Sequence, residues 1–487
     1  MIRKIKQVLD KILGREVPTK NIKKIARKII QGGMGVGVSG WRLAKASAKA
    51  GAIGTVSGTA VANLLADSLQ KGDRGGHFRR ALAKFPFPKI AQKVLDEYFI
   101  EDGIEKCVKR KEIPMWSFDP PPILISLTIC ANFAFIWLAK EGHKYPIFVN
   151  YLEKIQFPHI YSILGAMLAN VDGIIMGAGI PKDVPAIIDA ILENRELSYP
   201  IEVKNHPEKH VCIKFNPNLF FREKLPEMSR PLFFPIVSSH VLAKVLVERC
   251  AGKIDGFIVE GSTAGGHNAP PRGKLELDTG GQPMYGKRDW IEYSEFQKIG
   301  IPFWLAGSFA HPEDLKKARD LGAFGIQAGT LFAFVKESGI ESNLKACAMM
   351  SIYRGIAKVF TSPVASPTGF PFKVLCLEGT LSEKELYESR RRVCGLGYLR
   401  EAVWLNDKIV FRCKAEPISN YVRKGGNESD TKGSVCICAG LCATVDARQG
   451  EIPILTAGDD LSPVWNCMCR YVWIYSAKNA VRYILGK

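Results

Sequence analysis

One histidine follows a predicted strand at a position where it could act on a substrate. His267 comes after the apolar run 257–260 and the small residues Ala264, Gly265 and Gly266. An imidazole near its ordinary pKa can accept or donate a proton at neutral pH, and the glycines permit close approach to a flat ligand. We therefore predict a catalytic histidine, with a loop histidine that bonds to neighbouring polar groups as the alternative.

Two later strand ends carry residues suited to binding an anion. Gly307 and Ser308 follow one apolar run, and Gly329 and Thr330 follow the next. In a barrel of alternating strands and helices, the turns after the last two strands present backbone amides and a helix N-terminus to a phosphate group. A phosphate site is predicted here, with plain structural turns as the alternative.

A glycine-rich segment at residues 31–40 follows the first predicted strand and opens a helix. Gly35, Gly37 and Gly40 have the spacing of a dinucleotide-binding turn. The next strand, residues 53–57, ends without the acidic residue that holds a ribose hydroxyl in such proteins. The segment thus predicts main-chain contacts to a flat ligand, and a glycine turn without a ligand is the alternative.

Cysteines are concentrated near the C-terminal end, where thiolates at this density could bind zinc or an iron–sulfur cluster. Their C-x-C and C-x3-C spacings differ from the C-x2-C pairs of common zinc knuckles, so we predict buried or free thiols and no metal site. The other histidines, including His77, His143, His240 and His311, lack metal-ligand spacing and are interpreted as structural. The cysteines are Cys394, Cys413, Cys436, Cys438, Cys442, Cys467 and Cys469.

These residues require a scaffold that brings several strand ends together. Short apolar runs, most of them followed by a helical stretch, occur at residues 28–33, 52–57, 146–151, 171–176, 233–238, 255–260, 301–306 and 324–329. This alternation predicts an α/β fold, a (β/α)8 TIM barrel, and a doubly wound open sheet is the alternative.

The predicted barrel occupies residues 28–340 and carries an insertion after strand 2, at about residues 60–125. Residues 341–487 are predicted to form a Cys-rich C-terminal extension, an α+β cap region. Residues 1–27 contain a basic amphipathic helix. Contact of this helix with a membrane surface is weighed against docking on the protein, and docking is preferred because its apolar face has no bulky aromatic residue.

The composition indicates which classes of protein, ligand and cellular compartment fit this chain. Of 487 residues, 47% are hydrophobic and 24% are charged, which argues against wholesale disorder. A net charge of +19 favours anionic ligands, but no basic motif studded with aromatic residues supports nucleic-acid binding. The 13 cysteines and the lack of a recognisable leader predict a reducing cytoplasm. The apolar run 123–139 contains polar residues and is predicted to be a buried helix.

The motifs occur in an order that resembles the nitronate monooxygenase family, also called 2-nitropropane dioxygenase-like, whose members are FMN-dependent (β/α)8 barrels. The resemblance covers about residues 28–335 and depends on the segments 30–35, 264–267, 305–307 and 325–330. The later segments 366–373 and 394–400 look like a long-chain subgroup with a Cys-rich extension.

The resemblance implies a role for each site residue. His267 would lie beside the flavin and handle protons. The FMN phosphate would be held by Gly307, Ser308, Gly329 and Thr330. The remaining cofactor-binding residues would be Gly33, Met34, Gly35, Asn150, Ala264, Gly265, Gly266 and Gln327.

The reaction implied is oxidation of an alkyl nitronate by dioxygen to a carbonyl compound and nitrite. The expected partners are a small anionic substrate and dioxygen, and no nucleic acid. One alternative is an FMN-dependent NAD(P)H reductase of an enoyl thioester or a quinone. Another, from a different class, is a non-catalytic protein that binds a metal or a membrane.

Overall fold

A computed structural model describes residues 27–105, 108–208 and 211–487, so the N-terminal helix predicted within residues 1–27 lies outside the described residues. Eight parallel strands occur where the apolar runs predict them. Their bounds are β1 Ile29–Gln31, β2 Gly54–Ser57, β3 Ile147–Leu152, β4 Gly173–Gly177, β5 Leu232–Val237, β6 Phe257–Glu260, β7 Phe303–Ala306 and β8 Gly325–Ala328.

The strands form a closed barrel. Each strand from β3 to β8 pairs in parallel with the strand before it, and β1 pairs with β8 through the register Ile30↔Gln327. The barrel closes between β1 and β2, where the Gln31 amide donates to the Ile53 carbonyl oxygen at 2.9 Å. The prediction of a (β/α)8 barrel is confirmed, and the open-sheet alternative is wrong.

Large apolar side chains fill the barrel interior. Phe148, Phe234 and Trp304 are each at most 1% exposed, and adjacent ring centroids are 5.3 Å apart. Ile30, Ile53, Ile175 and Ile258 complete this inner cluster. Because the interior is packed, a ligand can bind only at a rim, and the carboxyl ends of the strands define the rim that carries the predicted residues.

Helices that follow the strands form the outer layer. The first begins at Trp41, directly after the glycine-rich segment, and ends at Ala50; its buried face consists of Trp41, Leu43, Ala44, Ser47 and Ala48. The helix after β8 is only a short turn. In strand order the helices are Trp41–Ala50, Val61–Gln70, His159–Leu168, Val184–Leu192, His240–Arg249, Tyr293–Ile299, Asp314–Asp320 and Thr330–Ala333.

Helices also fill the long segment between β2 and β3. His77–Leu82 and Pro88–Tyr98 pack against Pro122–Lys140, which is the one helix of the described residues long and apolar enough to cross a membrane by length and composition. Of its most apolar stretch, 83% is buried in the protein, so the prediction of a buried helix is confirmed. A smaller insertion between β4 and β5, which the sequence did not predict, pairs Leu197–Ile201 with Val211–Phe215.

The segment after β8 combines helices with two antiparallel hairpins. Lys358–Ser362 pairs with Phe372–Cys376, and Glu401–Leu405 pairs with Lys408–Arg412. The last helix, Ala477–Ile484, packs against the first barrel helix. The other helices of at least six residues in this segment are Ser342–Tyr353, Lys384–Ser389, Ile418–Arg423, Ile437–Ala443 and Ser462–Arg470. Buried side chains of this segment belong to the same apolar core as the barrel helices.

Candidate active site

A single cavity at the carboxyl ends of the strands contains every site residue predicted from the sequence. It is also lined by residues of the C-terminal segment, which the sequence did not assign to the site. The predicted residues in its wall are Gly33, Met34, Gly35, Asn150, Ala264, Gly265, Gly266, His267, Gly307, Ser308, Gln327, Gly329 and Thr330.

The turn after β1 is held in place by buried side chains. The Ser39 hydroxyl accepts a hydrogen bond from the Met34 amide at 3.0 Å and donates one to the Gly32 carbonyl oxygen at 2.9 Å. A Cβ atom at Gly33 would lie 2.3 Å from Asn150 Cβ, so only glycine allows the turn to lie against the end of β3. Gly35 has a φ of +53°, which favours glycine.

The turns after β7 and β8 present backbone amides to the cavity. Gly307 and Ser308 both have positive φ, at 89° and 57°, and Gly329 precedes the short helix that begins at Thr330. Within the described residues, the amides of Ser308, Gly329 and Thr330 donate to no protein acceptor. Amides exposed in this way at the start of a helix can bind an anion.

His267 is half-buried and packs against the C-terminal segment. Its Nε2 lies 2.8 Å from Ser366 Oγ, and its ring packs edge-on against Phe372 with centroids 4.8 Å apart. Burial lowers the pKa of His267 to about 4. The expectation of a nearly ordinary pKa is therefore wrong, because apolar packing disfavours the imidazolium ion. At neutral pH the imidazole is uncharged and is a weak base.

The end of β6 supplies a carboxyl group that the sequence analysis left without a role. Glu260 lines the cavity, and among the described residues its carboxyl group has no hydrogen-bond or ion-pair partner. Burial raises the pKa of Glu260 to about 8, so the group is mostly protonated at pH 7 and can donate a proton. Its position at the end of a predicted strand could have marked Glu260 as a candidate site residue. Its burial could not be predicted from the sequence.

Residues 454–460 lie across the rim and bond to its backbone. The Gly266 amide donates to Thr456 Oγ1 at 2.8 Å, and the Gly458 amide donates to Thr330 Oγ1 at the same distance. A Cβ atom at Gly265 would lie 2.8 Å from the carbonyl carbon of Ala457. The Thr330 hydroxyl oxygen thus accepts a bond from the chain itself, and its hydrogen is available to a ligand.

An ion pair and a histidine–carboxylate contact fix this crossing segment. The buried Lys373 Nζ lies 2.7 Å from Asp459 Oδ1 and 2.6 Å from Thr361 Oγ1. His311 Nε2 lies 2.9 Å from Asp460 Oδ2. Asp460 lines the cavity, whereas the described lining includes no Lys or Arg side chain. The cavity wall therefore offers an anion backbone amides rather than a cation.

The residues present fit a flavin mononucleotide. The free amides of the β7 and β8 turns suit a phosphate group, and the walls are largely apolar or uncharged, as a flat ring system requires. Gln327 Oε1 is buried with no hydrogen-bond partner among the described residues, so it can accept a bond from a ligand N–H or O–H group.

Comparison with known proteins gives matches in structure only. No family model matches the sequence, and no curated protein matches it. Structural neighbours include FabK from Thermotoga maritima, with 16% identity, 95% of this chain and 93% of that chain covered, and a TM-score of 0.48. The nitroalkane oxidase from Streptomyces ansochromogenes has 14% identity, coverage of 94% and 95%, and a TM-score of 0.45.

A further neighbour is the enoyl reductase domain of MlnA from the macrolactin biosynthesis cluster from Bacillus amyloliquefaciens. It has 11% identity, 97% of each chain covered, and a TM-score of 0.45. Likeness of this degree does not identify a reaction. The strand pairing defines the barrel, and the chemistry of the site determines the function.

Proposed function

We propose that this chain is an FMN-dependent oxidoreductase. The observation that carries the proposal is the convergence of the predicted residues on one cavity, where the amides of Ser308, Gly329 and Thr330 lack a protein acceptor. The turns after the last two strands are where barrel enzymes bind phosphate groups. The sequence resemblance supports a flavin as the group that carries this phosphate.

In this proposal the protein binds and orients the cofactor. Ser308, Gly329 and Thr330 bind the phosphate, and the glycine turn at Met34 contacts the ring system. Gln327 supplies a hydrogen-bond acceptor. FMN, when bound, supplies the capacity to take up and release electrons. Residues 454–460 help to exclude water from the rim.

The first test is the cofactor content of the purified full-length chain. We expect a yellow protein that releases FMN on denaturation, or a colourless one that becomes yellow on incubation with FMN. A protein that stays colourless after incubation would contradict the proposal and favour a non-catalytic role.

The substrate we propose is an alkyl nitronate, oxidised with dioxygen to a carbonyl compound and nitrite. A nitronate is already deprotonated, so it needs no strong base, and the weakly basic His267 is compatible with its use. Where a neutral nitroalkane is the substrate, His267 is the group placed to accept its proton. A cytoplasmic location remains our proposal, supported by described cysteines that are all free thiols.

A second candidate is reduction of a neutral acyl substrate, such as an enoyl thioester, with NAD(P)H. The absence of Lys and Arg side chains from the described cavity lining favours an uncharged substrate over an anion. Glu260, protonated at neutral pH, could supply the proton that such a reduction consumes.

Anaerobic mixing distinguishes the two candidates. Rapid bleaching of the flavin by NADH or NADPH would support the reductase. Bleaching by a nitronate alone would support the oxygenase. A flavin that neither donor reduces would contradict both substrate assignments but leave the cofactor proposal standing.

A further inference from the structure

Two helices that follow β8 place large apolar side chains on the protein surface. Ser342–Tyr353 and Ser462–Arg470 pack against each other. Met350 and Tyr353, one helical turn apart on the first helix, are 38% and 50% exposed, and Trp465 of the second helix is 43% exposed. Contiguous apolar groups that remain exposed in a folded chain mark sites of interaction with a protein or a membrane.

Contacts between the two segments join these side chains into one surface. The Trp465 Nε1–H group donates to the Tyr353 carbonyl oxygen at 3.3 Å, and the Tyr353 and Trp473 ring centroids are 5.6 Å apart. Val472 and Ile474 flank Trp473 and are 88% and 65% exposed. We call this surface the apolar patch. It consists of Met350, Tyr353, Ile356, Trp465, Val472, Trp473 and Ile474.

The backbone at the edge of the patch is held in an unfavourable conformation. Val472 and Trp473 both have positive φ, at 53° and 77°, and Val472 is the one β-branched residue of the described chain in this region. Left-handed backbone angles are unfavourable for such a residue. The Trp473 amide donates to the Met468 carbonyl oxygen at 2.8 Å and helps to fix the turn. Packing does not explain a strained valine that is almost fully exposed, and strain of this kind occurs at functional positions.

The charged residues beside the patch all have one sign. Residues 342–358 and 461–487 contain seven Lys or Arg and no Asp or Glu. Arg354 follows Tyr353, and Arg470 ends the second helix; both are exposed, and neither has an ion-pair partner among the described residues. Basic residues next to exposed Trp, Tyr and aliphatic side chains complement the headgroup region of a membrane with anionic lipids.

We propose that the apolar patch docks this chain on the surface of a membrane that contains anionic lipids. Val472 and Ile474 enter the boundary between the headgroups and the acyl chains. The Trp465 and Tyr353 rings lie at the depth of the headgroups, where such rings are enriched. The basic side chains beside the patch contact lipid phosphates. The same patch on a second copy of the chain would bring like charges together, so a membrane is the better match.

One helix connects the patch to the candidate active site. Pro463, in the first turn of Ser462–Arg470, lines the cavity, and Arg470 ends the same helix beside the patch. A helix of nine residues is about 14 Å long, so docking brings the cavity close to the membrane. The proposal does not depend on the proposed function. It is also separate from the membrane contact weighed for the helix within residues 1–27.

The test is co-sedimentation of the full-length chain with lipid vesicles. At low salt, we expect roughly tenfold stronger binding to vesicles of phosphatidylcholine and phosphatidylserine than to vesicles of phosphatidylcholine alone. Binding to the anionic vesicles should weaken as salt is added, because salt screens the attraction. No binding, or equal binding to both kinds of vesicle, would overturn the proposal.

Val472→Asn separates docking from folding. Asparagine tolerates positive φ better than valine, so the variant should unfold at the same or a higher temperature than the parent chain. It should bind anionic vesicles about tenfold more weakly, because the burial of one valine side chain is lost. Should Val472→Asn fail to fold, Ile474→Ser provides the same comparison.

Leu219→Asn is the matched control for this substitution. Leu219 is 77% exposed, but it lies in the segment between β4 and β5 and is not part of the patch. This variant should bind anionic vesicles as the parent chain does. Equal binding by the Leu219→Asn and Val472→Asn variants would overturn the assignment to the patch, and would point to another segment such as residues 1–27.

Two further measurements distinguish the charge and the occupant. Arg354→Gln combined with Arg470→Gln should remove most of the preference for anionic vesicles; an unchanged preference would overturn the role of these arginines. Sedimentation velocity reports the oligomeric state. A dimer that Val472→Asn dissociates, in a chain that binds no vesicles, would assign the patch to a second copy. A chain that binds vesicles but no FMN would contradict only the proposed function.

Discussion

The barrel rim and the segment that crosses it contribute to one cavity in different ways. The rim supplies backbone amides and glycines, whose positions are set by the ends of β1, β7 and β8. The crossing segment, residues 454–460, supplies hydroxyl and carboxylate side chains and is fixed by bonds to Thr330 and Lys373. The difference indicates that the barrel rim alone provides the groups that bind a ligand. Enclosure of that ligand depends on long-range contacts of residues 454–460, which can be weakened separately.

The largest effect is expected at the rim. Gly329→Glu would place a carboxylate beside the phosphate, and like charges at contact distance repel by about 4 kcal/mol, or roughly a thousandfold in Kd. Titration with FMN, followed by fluorescence quenching, measures the loss. Gly286→Glu is the matched control, since Gly286 has ordinary backbone angles and open space around its Cβ position. A Gly329→Glu protein that stays yellow would contradict the phosphate assignment.

His267 lies on the barrel rim and contacts the C-terminal segment. Its substitution tests whether it acts as a proton acceptor. We expect His267→Ala to retain FMN and to lower turnover of a neutral nitroalkane about a hundredfold, because the proton acceptor is lost. Turnover of the nitronate should fall less than tenfold. Ser366→Ala leaves the imidazole in place and serves as the control. Equal losses on both substrates would argue against proton transfer by His267.

The ion pair beneath the crossing segment should affect stability more than binding. Asp459→Ala leaves the Lys373 ammonium buried with only Thr361 as a partner, which should lower the free energy of unfolding by about 2 kcal/mol. Urea denaturation measures this. Lys316 and Asp320 form an exposed pair, and Asp320→Ala should cost less than about 0.5 kcal/mol.

A double variant checks the cause of that loss. Lys373→Met combined with Asp459→Ala should be less destabilised than the sum of the single variants, because no buried charge is then left unpaired. Additive losses would show that the two side chains act independently.

The smallest effect concerns pH. Burial raises the pKa of Glu260 to about 8, so at pH 7 the folded chain holds a proton that the unfolded chain has released. Stability should therefore fall as pH rises from about 5 to about 8, with a slope of at most about 1.4 kcal/mol per pH unit, and level off above. Glu260→Gln should lose this component of the slope in denaturant titrations at each pH. An unchanged slope would show that Glu260 is ionised in the folded chain.

The barrel and its rim were predictable because both leave local marks in the sequence. Parallel strands buried on both faces appear as apolar runs, and turns that approach a neighbour closely require glycine, as Gly33 does against Asn150. The order of these runs and turns was enough to predict which residues share one cavity.

The crossing segment was not predictable in the same way. Thr456 and Asp460 reach the cavity through contacts with residues more than a hundred positions away, and no periodicity marks them. The pKa values of His267 and Glu260 are shifted by burial, and burial depends on the fold. The direction of each pKa shift could therefore not be predicted from the sequence.

The contact between the last helix and the first barrel helix has a consequence for synthesis of the chain. Ala477–Ile484 packs on Trp41–Ala50, and the strand that forms a ladder with β1 is β8. Neither β8 nor the helix Ala477–Ile484 has been synthesised while the ribosome is still producing the middle of the protein. Until then, β1 and the helix that follows it expose apolar surface to water. A nascent chain of this design has prolonged need of a chaperone, and removal of the last dozen residues should trap it in that state.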